Sequence, residues 1–222
     1  MRDIEVIAAL QDPVRRRLYD YVAAQDDEVS RNEAAEAVGV QRTLAAFHLD
    51  KLVEVGLLDT GSRRLTGRSG PGAGRPAKLY RRSAAEHTVS LPPRDYRTAA
   101  ELLAGVAEAA RLDAELHDAA RRQGRGLRDA TGGTIEGVTA VAELLAGRGY
   151  APRLEETDGG AVVRMANCPF HVLAERHPPL VCGMNLALLE GLLEGTEGLR
   201  VRMDPQPGLC CVIVEDSKNN QG

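Results

Sequence analysis

The chain has 222 residues, of which 43% are hydrophobic and 27% are charged, and its formal net charge is -4. No apolar run approaches the roughly 18 residues that a membrane span requires, so we expect a soluble protein with one large domain or two modest ones. The first residues carry an acid before their apolar stretch and basic residues after it, the reverse of a secretory signal, which predicts a cytoplasmic location.

The charge is unevenly distributed along the chain. Residues 1–100 hold 16 Lys and Arg against 14 Asp and Glu, a net +2, whereas residues 101–222 hold 12 against 18, a net -6. Residues 61–82 contain seven basic residues and no acidic one. A basic segment on an acidic protein indicates one polyanion-binding face.

Two short helices are predicted near the start of the chain. Residues 13–24 place apolar side chains at helical spacing, with Asp12 positioned as the cap and Pro13 in the first turn. The next segment begins with Ser30 and Glu33 at capping-box spacing. Each helix is therefore marked by its own start signal.

A third helix completes a predicted helix-turn-helix. Gly39 can end the second helix in a left-handed conformation, and residues 41–56 form the third after a tight turn. In this motif the early residues of the last helix enter the major groove and meet base edges. The candidates for DNA contact are Gln41, Arg42, Thr43 and His48.

Residues 57–60 and 78–82 are predicted to pair as strands around a loop rich in Gly, Ser and Arg. A basic hairpin after a helix-turn-helix is a wing, whose arginines can bind phosphates or a narrow minor groove. Pro76 favours an extended conformation at the residue before it. The candidates in the wing are Arg63, Arg64, Arg68 and Arg75.

Three stretches of this half carry a family resemblance. DPVRRRLYDYV, GVQRTLAAFHLDKLVEVGLL and GRPAKLYR resemble the winged-helix regulators of the ArsR-like superfamily. AAFHLDKL together with GRPAKLY is similar to a branch that includes the repressor of iron-sulfur cluster assembly operons, the SufR-like regulators. The resemblance covers about residues 4–82 and implies a DNA-binding transcriptional regulator.

Residues 96–123 are rich in Ala and Leu and predict one long connecting helix, with Pro92 and Pro93 at its upstream boundary. Its apolar stripe can pack against a second copy or within its own chain. We favour a homodimer, because a two-fold protein matches a palindromic operator.

The last part of the chain predicts a helix from Thr134, a hairpin turning at 158–160, a helix that begins at Pro178 and Pro179, and a second strand pair. The fold class is therefore α+β. It comprises an N-terminal winged helix-turn-helix domain (1–90), a long connecting helix (91–130) and a small C-terminal α+β sensor domain (131–222).

All four cysteines lie in the last quarter of the chain: Cys168 after a strand, Cys182 near a helix start, and Cys210 with Cys211 at the head of the last strand. Successive strand side chains face opposite ways, so at most three of these thiols are expected to converge. Thiolates bind iron-sulfur clusters and zinc, and His171 could add a ligand. Core packing and a redox disulfide remain alternatives.

NCPFHVLAERHPPLVCGMN and GLCCVIV resemble the cysteine positions of SufR-like regulators, which bind an iron-sulfur cluster and repress cluster-assembly genes when it is present. By this resemblance Cys168 and Cys182 match the first two family cysteines, and Cys210 or Cys211 the last. A further cysteine found in some members is missing here, which leaves His171, His177 or an exogenous thiol as the fourth ligand of a [4Fe-4S] or [2Fe-2S] cluster.

The sequence therefore predicts a dimeric DNA-binding repressor whose operator affinity is set by an iron-sulfur cluster. One alternative is a winged-helix regulator that senses zinc or a small organic effector. The rival from another class is an enzyme with Cys168 as nucleophile and His171 or His177 as base. We expect no enzyme, because an orienting acid and an oxyanion loop are not recognisable.

Overall fold

The computed structural model describes residues 2–63, 77–132 and 135–216. It divides into two units, Met1–Arg94 and Asp95–Gly222, which are described separately as the N-terminal and C-terminal units. Within the described part of the chain, none of the helices combines the length and the apolar character needed to cross a bilayer.

The described part of the N-terminal unit contains four helices and a small antiparallel sheet whose strands lie in the order β1-β3-β2. Its elements are α1 (Arg2–Ala9), α2 (Pro13–Ala23), β1 (Val29–Ser30), α3 (Arg31–Val38), α4 (Arg42–Glu54), β2 (Leu58–Arg63) and β3 (Ala77–Arg82). The predicted helices and both wing strands are present, and α1 and β1 are additions to the prediction.

Local hydrogen bonds explain where these helices begin. The Asp12 carboxylate accepts hydrogen bonds of 2.9 Å from the backbone N–H groups of Val14 and Arg15. Ser30 and Glu33 form the reciprocal capping box, in which Glu33 accepts from the Ser30 N–H at 2.7 Å. Both predicted caps are confirmed, and each satisfies backbone donors that the first helical turn leaves unpaired.

The core of this unit joins α2, α3 and α4 to the sheet. Its fully buried large side chains are Leu18, Leu49, Leu52, Leu58, Leu79 and Tyr80. The wing strands run from the pair Leu58–Arg82 to the pair Arg63–Ala77 in one continuous antiparallel register. The buried side chains of Leu58, Leu79 and Tyr80 therefore anchor the hairpin on the core.

Among its described residues, the C-terminal unit has five helices and a four-stranded antiparallel sheet in the order β4-β5-β7-β6. Its elements are α5 (Tyr96–Ala109), α6 (Asp113–Thr131), α7 (Gly137–Ala146), β4 (Pro152–Thr157), β5 (Gly160–Met165), α8 (His171–Arg176), α9 (Pro178–Leu192), β6 (Leu199–Met203) and β7 (Val212–Asp216). The two predicted hairpin pairs, β4–β5 and β6–β7, are present.

The single long connecting helix predicted for residues 96–123 is wrong, because the structure has two helices there. The helix is interrupted at Arg111, whose backbone adopts a left-handed conformation with a φ of 56°. The N–H of Leu112 then bonds to the carbonyl of Ala107 at 3.0 Å, closing the end of α5. A glycine normally marks such an end, so an arginine in this position left no signal in the sequence.

Helix α6 packs against α9 at very short range. A Cβ atom added to Gly124 would overlap the backbone of Leu188, and one added to Gly191 would overlap the backbone of Arg121. These glycines let the two helix backbones touch. Helix α6 is thus a core helix of the C-terminal unit, one of the two placements that the sequence allowed for the connecting segment.

Candidate functional site

The first turn of α4 presents polar side chains to solvent. Gln41, Arg42 and Thr43 are exposed, while the inner face of the helix buries Ala45 and Leu49 completely. This division follows the helical period, which places the two sets on different faces. The three polar residues are therefore exposed to solvent, and their contact with base edges stays a prediction.

His48 occupies a different position from the predicted one. Its side chain is only 6% exposed, and its Nδ1 accepts a hydrogen bond of 3.4 Å from the Arg15 guanidinium. Its ring also meets the ring of Phe47 edge-on, with centroids 5.3 Å apart. A buried ring cannot reach a base, so we correct the prediction: His48 supports the helix and does not contact DNA.

A cluster of hydrogen-bonded polar side chains connects α4 to strand β3 of the wing. The Asp50 carboxylate accepts hydrogen bonds of 2.7 Å from Lys78 and from the Tyr80 hydroxyl, and one of 3.0 Å from Arg31. Burial alone would raise the pKa of Asp50, but the hydrogen bonds from Lys78 and Tyr80 hold it below its ordinary value. The stretches that carried the resemblance, AAFHLDKL and GRPAKLY, contain three of these four residues.

Of the four predicted wing arginines, Arg63 alone is among the described residues. The backbone of Arg63 ends β2 opposite Ala77. Arg64, Arg68 and Arg75 lie outside the described residues. Phosphate or minor-groove contact by these four arginines therefore stays a prediction.

In the C-terminal unit, all four cysteines line one cavity of about 180 Å³, which we call the cysteine cavity. Its thiol and polar lining consists of Cys168, His171, Glu175, Cys182, Asn185, Cys210 and Cys211. The expectation that Cys210 and Cys211 do not both reach one ligand site stays a prediction, because lining one cavity does not place both sulfur atoms at one ion position. Strand β7 begins only at Val212, so Cys210 and Cys211 precede the extended segment and the alternation of strand side chains does not apply to them.

The four thiols form two pairs. Cys182 donates a hydrogen bond to Cys211, with the sulfur atoms 3.3 Å apart. Cys168 forms a side-chain hydrogen bond with Cys210, and the buried amide of Asn185 donates to the same Cys210 sulfur at 3.4 Å. Three separate segments of the chain thus bring their sulfur atoms into one polar network.

These contacts divide the thiols by acidity. The hydrogen bond from Cys168, assisted by the N–H of Val212 and by Asn185, lowers the pKa of Cys210 to about 7. The same bond raises the pKa of Cys168, and burial raises the pKa of Cys182 to about 12. Of these three thiols, Cys210 is therefore the one most readily ionised near neutral pH, and the thiolate is the form that binds metals.

The two candidate histidines differ in position. His171 lies at the cavity and is 66% exposed, with its Nε2 3.3 Å from Glu175. His177 points elsewhere, since its Nδ1 lies 2.7 Å from the carboxylate of Glu108. Of the two, only His171 is among the described residues that line the cysteine cavity.

The donor set fits a thiolate-bound centre, although the ligands are not arranged in advance. Four cysteine sulfurs are the usual ligand set of iron-sulfur clusters and of structural zinc sites. Across residues 2–63, 77–132 and 135–216, however, no group of three or more His, Cys, Asp or Glu side chains is already placed around one ion position. The paired thiols would have to separate and lose their protons to bind a metal.

Sequence reasoning missed two residues of this network. The Tyr150 hydroxyl donates a 2.6 Å hydrogen bond to the Asn185 carbonyl oxygen, and Asn185 is 2% exposed. A signal for Asn185 was present, because it is a polar residue in the apolar helix α9, three positions after Cys182 and so on the same face. Tyr150 had no comparable signal.

Comparison with known families agrees with the N-terminal geometry. Residues 10–61 match the family model described as a helix-turn-helix domain. The matched segment begins just after α1 and runs through α4 into β2, so it contains the whole candidate DNA-contacting helix. No curated protein and no solved structure matches the chain.

Proposed function

We propose that this protein is a dimeric winged-helix repressor whose operator affinity is set by an iron-sulfur cluster held in the cysteine cavity. The helix-turn-helix match over residues 10–61 supports the DNA-binding part of this proposal. The exposed first turn of α4, with Gln41, Arg42 and Thr43, supplies the donors and acceptors that base edges require.

One observation supports the sensing half: every cysteine of the chain lines the same cavity. The residues that would hold the cluster are Cys168, Cys182, Cys210 and Cys211, with His171 at the cavity as an alternative ligand. A bound cluster would supply a redox-active centre. The chain's own contribution is to bring three segments together and, at Cys210, to provide a thiol that ionises near neutral pH.

The test is the iron and acid-labile sulfide content of protein isolated without oxygen. Iron and sulfide in comparable amounts, lost together in Cys168→Ser and Cys182→Ser, are expected. The iron content of His171→Ala distinguishes the two possible ligand sets. A site made of four cysteines keeps its iron in this variant, whereas a site that uses the histidine loses it. A colourless wild-type protein without iron and sulfide that still binds its operator contradicts cluster sensing and leaves DNA binding intact.

The same measurement addresses two further candidates. Zinc would appear as metal without sulfide, bound by the same four thiolates. A thiol switch is favoured by the 3.3 Å contact between Cys182 and Cys211, since mild oxidation could join this pair without any metal. A metal-free preparation whose operator affinity changes on oxidation would support this second function.

Helix α5 supports the dimer. Each of its residues stays at least partly exposed, and its apolar side chains Tyr96, Leu102, Leu103 and Val106 are between 65% and 74% exposed. An apolar stripe of this kind typically packs against another protein surface. A second copy of α5 is the partner that suits a two-fold operator.

A further inference from the structure

An apolar surface interrupts the polar outer side of α4. Leu44 is 41% exposed and Phe47 is 63% exposed, although both belong to the helix that the helix-turn-helix match covers. Phe47 is one of only two phenylalanines in a chain that has no tryptophan. A large apolar side chain left mostly in water at a binding surface indicates contact with an apolar group of the ligand.

The helical period places these side chains beside the polar ones. Leu44 and Phe47 are three residues apart and Thr43 and Phe47 are four apart, so all three share one face. The opposite face buries Ala45 and Leu49. The surface that α4 turns away from the core thus carries a hydroxyl flanked by two apolar groups.

The Phe47 ring contacts a buried aromatic side chain. The buried His48 ring meets it at 5.3 Å with an interplanar angle of 72°. His48 is in turn tied to Arg15 of α2 by the 3.4 Å hydrogen bond at its Nδ1. The exposed Phe47 ring therefore contacts a residue that is itself buried in the domain.

Within the major groove of DNA, the C5-methyl group of thymine is the apolar feature that distinguishes one base from the others, and Phe is one of the side chains that contact it. We propose that Leu44 and Phe47 read thymine methyl groups in the operator, while Gln41, Arg42 and Thr43 supply the polar contacts. This inference rests on the proposed DNA binding and names the residues that set the protein's preference for particular operator sequences.

The experiment removes methyl groups from the DNA and apolar atoms from the protein. Full-length protein first selects its preferred duplex from a random library, and each thymidine in that site is then replaced by deoxyuridine, which lacks only the methyl group. Loss of one buried methyl contact is expected to weaken wild-type binding about fourfold at each thymine that is read. Phe47→Ala should bind the thymidine and deoxyuridine duplexes equally at the thymine it reads, and Leu44→Ala should do so at another.

The control is Leu154→Ala, which removes a half-exposed apolar side chain from β4 and should keep the full deoxyuridine effect. The inference is overturned if wild-type protein binds its selected site tightly but is insensitive to the loss of the methyl groups, or if it selects a site without thymine. Either result leaves the proposed regulator function intact. Deoxyuridine sensitivity that persists in both Phe47→Ala and Leu44→Ala also overturns it. A failure to select any duplex refutes DNA binding itself.

Discussion

The hydroxyl of Tyr80 donates a 2.7 Å hydrogen bond to the carboxylate of Asp50, which joins strand β3 of the wing to helix α4. Arg31 of α3 donates to the same hydroxyl at 2.7 Å. Since Tyr80 is completely buried, these partners are held in one arrangement. Helix α4 and the wing strand β3 are thus positioned together.

We expect Tyr80→Phe to lower the free energy of unfolding by about 1 to 3 kcal/mol, because it removes hydrogen bonds to two charged groups. Chemical denaturation measures this loss. Tyr96→Phe is the matched control, since the Tyr96 side chain is 74% exposed. Equal stabilities for Tyr80→Phe and wild type would show that the cluster does not stabilise the domain.

Tyr80 is also expected to make the stability of the protein depend on pH in the alkaline range. Burial, and then the hydrogen bond to Asp50, raises the pKa of Tyr80 from 10.0 to about 12. Because the folded pKa lies above the unfolded one, this contribution is complete below the unfolded pKa and is lost as the pH rises through the folded pKa. Between pH 10 and 12 the stability of wild type should fall more steeply than that of Tyr80→Phe.

Two glycines of α6 provide a matched pair for the packing of α6 on α9. Gly124→Ala should destabilise the protein by about 1 to 3 kcal/mol, because its Cβ overlaps backbone atoms of α9. Gly126→Ala meets no atom within 4 Å and should instead stabilise the helix by roughly 0.5 to 1 kcal/mol. Thermal unfolding distinguishes the two, and equal effects would contradict the close approach of the helices.

Oxidation of metal-free protein should produce a specific set of disulfides. Treatment with diamide is expected to join Cys182 to Cys211 and Cys168 to Cys210, because these are the thiols in contact. Peptide mapping by mass spectrometry identifies the bonds. A disulfide between Cys168 and Cys182, or between the sequence neighbours Cys210 and Cys211, would contradict the pairing in the cavity.

Arg42→Ala should weaken operator binding by a factor of roughly 10 to 100, as expected for the loss of one good base contact. Fluorescence anisotropy with a selected duplex measures the effect. Arg200→Ala, an exposed arginine on β6, is the control of equal charge change. If both variants bind like wild type, Arg42 does not contact DNA through the proposed helix.

Leu103→Glu on α5 should convert a dimer into a monomer, since it places a charge on the exposed apolar stripe. Light scattering with size-exclusion chromatography reports the mass, which is 23.8 kDa for one chain. Leu154→Glu adds the same charge on β4 and should leave the mass of the dimer unchanged. A monomeric wild type would refute the proposed dimer directly.

The sequence alone predicted the features whose partners are close along the chain. Asp12, the Ser30–Glu33 capping box and the turn between β4 and β5 involve hydrogen bonds between near neighbours, so their residue types identify them. The convergence of three cysteine-bearing segments was also predicted, from the order of the elements. The helix-turn-helix followed from the same local signals and agrees with the family match.

Tertiary structure decided the features that depend on packing. A helical pattern does not show which side of α4 faces the core, and only the fold buries His48 while leaving Phe47 exposed. The left-handed Arg111 ends α5 without a glycine signal. Cys210 and Cys211 both line one cavity and precede β7, which begins at Val212 and not at the cysteines, so the alternation of strand side chains that the sequence predicted does not apply to them.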